Sequence, residues 1–324
     1  MIQQMNRFKC AAGVFAALLL IALPGVAAQS YPGAGLVVKV NPERNELVVS
    51  MQEIPGFMDA MVMPLPVRQV RELRGLRPGM MVDFSLIVTE KTSYAENVRV
   101  RPFESTENDP QAACRLAIID KVLAKNSSSK TVLDLGQHVP DFSLTDQNGR
   151  PVALSQFLGK VVAMTFVYTR CPLPNFCFRL SNNFGQMQKR FGRQMGHDLI
   201  LLTITLEPTT DQPEALAKYA SIWKANGASW RFLTGPPAAI KELTARFGVV
   251  SSIDEGTITH SLHTVVIDRQ GNLAANLEGN EFTGRQLGDL VEVQLNRAPG
   301  RSEDVRAGLS AHSQVPQAAQ GIQR

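Results

Sequence analysis

The chain has 324 residues, 44% of them hydrophobic and only 6% aromatic, with a formal net charge of +4. That length is enough for two domains with cores of their own. The near-neutral balance, sparse aromatics and lack of a basic stripe exclude a nucleic-acid-binding surface.

Arg7 and Lys9 precede an apolar run from Ala11 to Leu23, followed by Pro24, Gly25 and the small residues Val26-Ala27-Ala28. This order predicts a secretory signal over residues 1–28. The run is shorter than the roughly 20 residues that span a bilayer. An exported, periplasmic protein is therefore expected, with retention of the segment as an inner-membrane anchor as the alternative. Cys10 precedes the run, where a lipid-bearing cysteine does not belong, and no later stretch is a transmembrane candidate. Past residue 28 three cysteines remain, Cys114, Cys171 and Cys177. An odd number leaves at least one thiol without an intramolecular partner in an oxidising compartment.

Over residues 31–102 the apolar runs are short and valine-rich: Leu36–Val40, Leu47–Ser50, Met61–Val67, Met81–Val88 and Ala95–Arg101. Asn41-Pro42, Pro55-Gly56 and Pro78-Gly79 punctuate them. Five strands at this spacing predict a small OB-like β-barrel. Residues 103–134 read as a linker with a helix over 112–125, in which Cys114 is a small buried hydrophobe.

Residues 135–297 change pattern. Val161–Tyr168 and Leu199–Leu206 are continuous apolar runs, as expected of buried central strands. Helical stretches cover Phe178–Phe191, a segment ending at Trp223 with a capping-box pattern at Asp211 and Glu214, and Ala238–Phe247. A hairpin, Thr264–Asp268 and Leu273–Leu277, precedes a last helix that starts at Thr283 and Gln286. Strands alternating with helices predict an α/β sandwich of the thioredoxin kind, giving an α+β two-domain chain. Residues 298–324 have too few large apolar side chains to order themselves and are expected to be disordered.

Two clusters carry chemistry. Phe166-Val167-Tyr168-Thr169-Arg170-Cys171-Pro172-Leu173-Pro174-Asn175-Phe176-Cys177 runs from a buried strand into a loop and then a helix start. A helix start stabilises a thiolate, and sites gather at the carboxyl ends of such strands. The cysteines stand farther apart than a fast dithiol pair on one helical turn. They can still share a soft ion such as Cu(I), and an imidazole from His260 or His263 would extend the site to Cu(II). A structural disulfide explains the same spacing. The second cluster is Met51, Met58, Met61 and Met63. Met61 and Met63 share a strand face, and their thioethers suit Cu(I) without deprotonation. Methionine is equally a flexible core filler.

These motifs resemble known families. Val139-Pro140-Asp141-Phe142-Ser143-Leu144, Cys171-Pro172 with Cys177, Leu206-Glu207-Pro208 with Asp211-Gln212-Pro213, His260-Ser261-Leu262 and Val266-Ile267-Asp268-Arg269-Gln270-Gly271 resemble the Sco (SenC) family of copper chaperones for cytochrome c oxidase. The resemblance implies a thioredoxin-like fold and copper binding by Cys171, Cys177 and His260; His263, a strand-edge residue three positions on, is expected to be structural. The family usually has three residues between its cysteines, and this chain has the wider loop of a Cys-Pro-Leu-Pro branch. Thr259 stands where an acidic residue usually precedes the histidine. Residues 33–101 resemble the CusF-type periplasmic copper-binding domain. There the Met-x-Met pair matches Met61 and Met63, the capping aromatic falls near Met58 and the histidine ligand near Met51; with Met51 in its place the second site would be all-thioether, and without it the site would be weakened or lost. The resemblances imply Cu(I)/Cu(II) as cargo. The implied partners are the copper-centre subunit of cytochrome c oxidase and other periplasmic copper proteins. Two further readings stand beside the chaperone. One is a thiol–disulfide oxidoreductase acting on oxidase cysteines, with Cys171 attacking and Cys177 resolving, or its peroxidase variant with Thr169. The other is periplasmic copper buffering or resistance.

Overall fold

The computed structural model describes residues 28–101, 132–254 and 257–297. In the first stretch β1 (Gln29–Asn41), β2 (Glu46–Met51), β3 (Val62–Pro66), β4 (Met81–Val88) and β5 (Ser93–Val100) form one antiparallel sheet in the order β3-β2-β1-β4-β5. Alternation divides its faces. Val37, Leu47, Val49, Met51 and Leu86 turn into an inner core, whereas Leu36, Val38 and Val48 turn the other way.

The expected closed barrel does not form: edges β3 and β5 touch at a single bridge, Val67 to Ala95. The reason lies in β3 itself. Met61 and Val67 spend their backbone bonds on β2 and the turn before it, so the even positions face the open edge. Two of these are Pro64 and Pro66, which have no N–H to offer. The chain then enters a 3-10 turn, Val70–Leu73, whose Glu72 accepts from the Asn97 amide at 2.9 Å.

The second stretch holds β6 (Ser143–Asp146), β7 (Pro151–Ala153), β8 (Val161–Val167), α1 (Arg179–Arg190), β9 (Leu199–Thr205), α2 (Pro213–Ile222), β10 (Trp230–Thr234), α3 (Pro237–Arg246), β11 (Ser251–Asp254), β12 (Thr257–His260), β13 (His263–Ile267), β14 (Leu273–Glu278) and α4 (Gly284–Leu295). Seven strands make one sheet, β14-β13-β8-β9-β10-β6-β7, in which β8, β9 and β10 are parallel. Every residue of β8 and β9 is buried, because both faces are covered. Residues of α1, α2 and α4 pack on one face and those of α3 on the other. The result is a mixed α+β molecule with two main sheets.

The two sheets share a seam. Leu36, Val38 and Met81 join the core that contains Leu277, Leu287 and Leu290. Beside them the Ser50 hydroxyl donates to Asp289 at 2.6 Å, and the Gln286 side chain donates to the Ser50 carbonyl at 3.0 Å.

The hairpin and the start of α4 form where expected, the latter with a complete Thr283/Gln286 capping box. The capping box at Asp211 does not. The residue before α2 is Gln212, which makes no side-chain cap, and Pro213 begins the helix, where its missing N–H costs nothing. Strands β6, β7 and β10 to β12 were not expected: each is only three to five residues long, too short to show a period. The signal segment, the helix over 112–125 with Cys114, and the tail lie outside the described residues.

Candidate metal centre

β8 and β9 run in register, with Val167 beside Thr205. Their carboxyl ends therefore launch two adjacent loops, and the second loop holds the first. Asp211 is fully buried. Its carboxylate accepts from the Thr169 amide at 3.0 Å, the Thr169 hydroxyl at 2.5 Å and the Thr205 hydroxyl at 2.6 Å. Glu207 pairs with Arg170, accepting from Nε at 2.7 Å, and this guanidinium holds the Glu207 carboxyl below its usual range. Thr169 and Arg170, the two residues before Cys171, are thus clamped side by side.

Beyond Cys171 the chain passes through Pro172, Leu173 and Pro174 into a single π turn, Pro174–Phe178, kinked at Phe176 (φ −106°, ψ −107°) before α1. The kink carries Cys177 inward: it is 1% exposed, while Leu173 and Phe178 on either side remain at the surface. His260 arrives from the end of β12. Its Nε2 lies 3.8 Å from Cys177 Sγ, and its Nδ1 lies 2.9 Å from the Ser261 carbonyl. Donation from Nδ1 leaves Nε2 as the lone pair that faces the sulfur. Tyr168 meets the imidazole edge-on, with centroids 6.0 Å apart.

The thiols are unequal. Both are free. A hydrogen bond from Cys177 holds the half-buried Cys171 thiol down at about 6, with further help from the Leu173 and Cys177 backbone and from Tyr168. That same interaction, followed by burial, pushes the Cys177 thiol well up. The favoured thiolate is thus on Cys171, and its main cause is a neighbouring thiol rather than the helix start. Burial lowers His260 to about 4, so the ring is neutral at physiological pH. Cys171 also contacts the Leu173 carbonyl at 3.9 Å. Among the described residues no three His, Cys, Asp or Glu side chains are already arranged around a common ion point. Cys177 and His260 form the preset pair, and Cys171 is the member on the loop.

His263, three residues on, is held within the sheet. Its Nδ1 meets the Asn276 side chain at 3.0 Å, and Asn276 in turn donates to the Phe247 carbonyl. The methionines gather at one end of the first sheet. Val49 pairs with Met63, and the Met51 amide donates to the Met61 carbonyl at 2.8 Å. Met51, Met61 and Met63 therefore lie on one face. Met51 is fully buried, Met61 is 45% exposed, and Met58 bridges Ile54 nearby. Three neutral thioethers on one face fit a soft monovalent ion.

Sequence reasoning quoted Thr169, Arg170, Glu207 and Asp211 without assigning the clamp. Two carboxylates, Glu207 and Asp211, just past a buried strand were the available signal.

The SCO1/SenC family model matches residues 132–294, and the model of the copper-binding periplasmic protein CusF matches residues 30–99. The SCO1 homolog of Bacillus subtilis is 24% identical over 153 residues, covering 46% of this chain and 78% of that protein. A SCO2-like protein of Rickettsia typhi is 30% identical over 139 residues, covering 40% and 64%. Among solved structures, copper-bound yeast Sco1 aligns at 24% identity with a TM-score of 0.44, covering 55% of this chain and 99% of that one. BsSco, described as a member of the Sco family of cytochrome c oxidase assembly proteins, aligns at 21% with a TM-score of 0.44, covering 52% and 100%. With its match spanning half of the sequence, behind a CusF-like region, this chain belongs to the SCO1/SenC family.

Proposed function

We propose that the protein is an exported copper chaperone: its thioredoxin-like domain holds copper on Cys171, Cys177 and His260, and its N-terminal sheet holds Cu(I) on Met51, Met61 and Met63, with Met58 alongside. The observation that carries this reading is the facing of Cys177 Sγ and His260 Nε2 at 3.8 Å, with the other ring nitrogen already committed to the Ser261 carbonyl. Copper is the cargo. Cys171 enters as a thiolate, Cys177 gives up its proton on binding, and neutral His260 gives a lone pair without losing one. The copper-bound and oxidase-assembly descriptions of the similar Sco structures support delivery to the copper-centre subunit of a respiratory oxidase. The CusF match supports a periplasmic location. Anaerobic Cu(I) titration against a competing chelator tests the site: Cys171→Ser with Cys177→Ser should abolish the tighter binding, and retained tight binding rejects the assignment.

A second reading, thiol–disulfide oxidoreductase, is favoured by the unequal thiols. Cys171 as thiolate attacks one sulfur of a substrate disulfide and expels the other. Cys177 then loses its proton and closes on Cys171, releasing the reduced substrate, and an external dithiol restores the pair. Disulfide turnover that needs both cysteines and ignores copper would select this reading over chaperoning.

A further inference from the structure

The last rung between β2 and β3 is completed from outside the sheet. The regular ladder ends at Ser50 and Val62. One residue on, the Met51 amide donates to the Met61 carbonyl at 2.8 Å, but the Met51 carbonyl accepts from Arg285 Nη2 on α4. Arg285 is itself aimed: Nη1 lies 3.1 Å from Asp289. Asp289 is 6% exposed and is fixed by the Ser50 hydroxyl at 2.6 Å and Arg190 at 2.7 Å. Gln286, fully buried, holds the Ser50 carbonyl. Both residues of this rung belong to the methionine face.

We infer that Arg285, oriented by Asp289, is a positioning residue for the Met51–Met61 pair, so that the thioredoxin-like domain completes the metal site of the N-terminal sheet. The inference rests on the reading of these methionines as a monovalent-copper site. Thioethers are neutral, weakly donating ligands, and a site built from them depends on their being held in place beforehand. A terminal rung with one ladder bond frays. The guanidinium supplies the second bond, and the buried carboxylate keeps it from swinging into solvent. Groups that act behind the ligands in this way are commonly worth about 10–100-fold in metal affinity.

The test uses the full chain carrying Cys171→Ser and Cys177→Ser, with methionine methyls labelled with carbon-13, titrated with Ag(I) as a redox-inert probe. In this parent the Met51 and Met61 methyl signals should shift on binding. Arg285→Ala should weaken Ag(I) binding by about tenfold. Arg285→Lys, which reaches the carbonyl without the fork to Asp289, should fall between. Arg285→Ala in the cysteine-intact chain should leave Cu(I) binding by the thiols unchanged. Equal Ag(I) affinity in parent and Arg285→Ala overturns the inference alone. Should Arg285→Ala not fold, Arg285→Lys decides, and binding as tight as the parent's overturns it. A parent that takes up no Ag(I) ends both the inference and the methionine half of the proposed function.

Discussion

His260 is buried, with Nδ1 on the Ser261 carbonyl, and burial lowers it to about 4 from an ordinary 6.5. Between those values the folded, metal-free protein binds fewer protons at this ring than the unfolded chain. Its contribution to stability is therefore full above 6.5 and is lost as pH falls through 4. The amount is on the order of 3 kcal/mol. Urea unfolding of metal-free protein at neutral pH and near pH 4 should show this loss, and His260→Gln should flatten the dependence. The neighbouring thiol gives a second expectation. Cys171 alkylation by iodoacetamide should rise with a midpoint near 6, the value at which its thiol is held mainly by Cys177. Cys177→Ser should move that midpoint up towards the ordinary thiol value of 9.0. An unmoved midpoint would mean that the loop backbone, not the second sulfur, stabilises the thiolate.

At the scale of elements, two local breaks in regular structure shape the two candidate sites. The π turn over Pro174–Phe178 lets one loop leave Cys171 near the surface and bury Cys177, which an uninterrupted helix start would not do. Pro64 and Pro66 leave β3 as an open edge and set the methionine end of the sheet apart from β5. The close approach of β1 and β2 behind that end depends on Gly35. A Cβ there would stand 2.5 Å from the Ser50 carbonyl oxygen and equally close to Val49. Gly35→Ala should cost about 2–3 kcal/mol by forcing the strands apart, read as a lower urea midpoint, and should weaken Ag(I) binding by the methionines. A variant as stable as the parent would show that β1 can shift without penalty.

For the whole molecule the seam between the two sheets is the deciding contact. Ser50, Arg190 and Arg285 converge on Asp289, beside the apolar contact of Leu36, Val38 and Met81. Asp289 is buried while both arginines are about a third exposed and can turn to solvent, so its removal leaves mainly the Ser50 hydroxyl unsatisfied and costs about 1–3 kcal/mol. The chain's two tryptophans, Trp223 and Trp230, both lie in the second domain, so their fluorescence follows that domain, whereas far-ultraviolet circular dichroism follows both. In the parent the shared core should make the two signals unfold together, coincidence of probes being the test of one cooperative transition. In Asp289→Ala they should separate, with the N-terminal sheet melting first. Coincident curves in the variant would mean that the apolar contact alone couples the domains.

Periodicity and apolar runs were enough to locate β4, β8, β9, the β13–β14 hairpin and the four helices of the described residues to within a residue or two, since burial on one or both faces is written directly into local sequence. The candidate soft ligands could be named from sequence for the same reason: sulfur chemistry belongs to the residue type. Short strands such as β6 and β7 carry too few residues to show a period, and the closed barrel was expected because residue spacing is blind to which side of β3 its prolines face. Asp211 resembled a helix cap because capping is a local pattern. Its actual partners, Thr169 and Thr205, are brought to it by the parallel pairing of β8 and β9. The meeting of His260 with Cys177, the inequality of the two thiols and the reach of Arg285 to Met51 were decided by tertiary structure alone. Each joins groups far apart in sequence, and their energies arise from burial and distance, which exist only once the chain is folded.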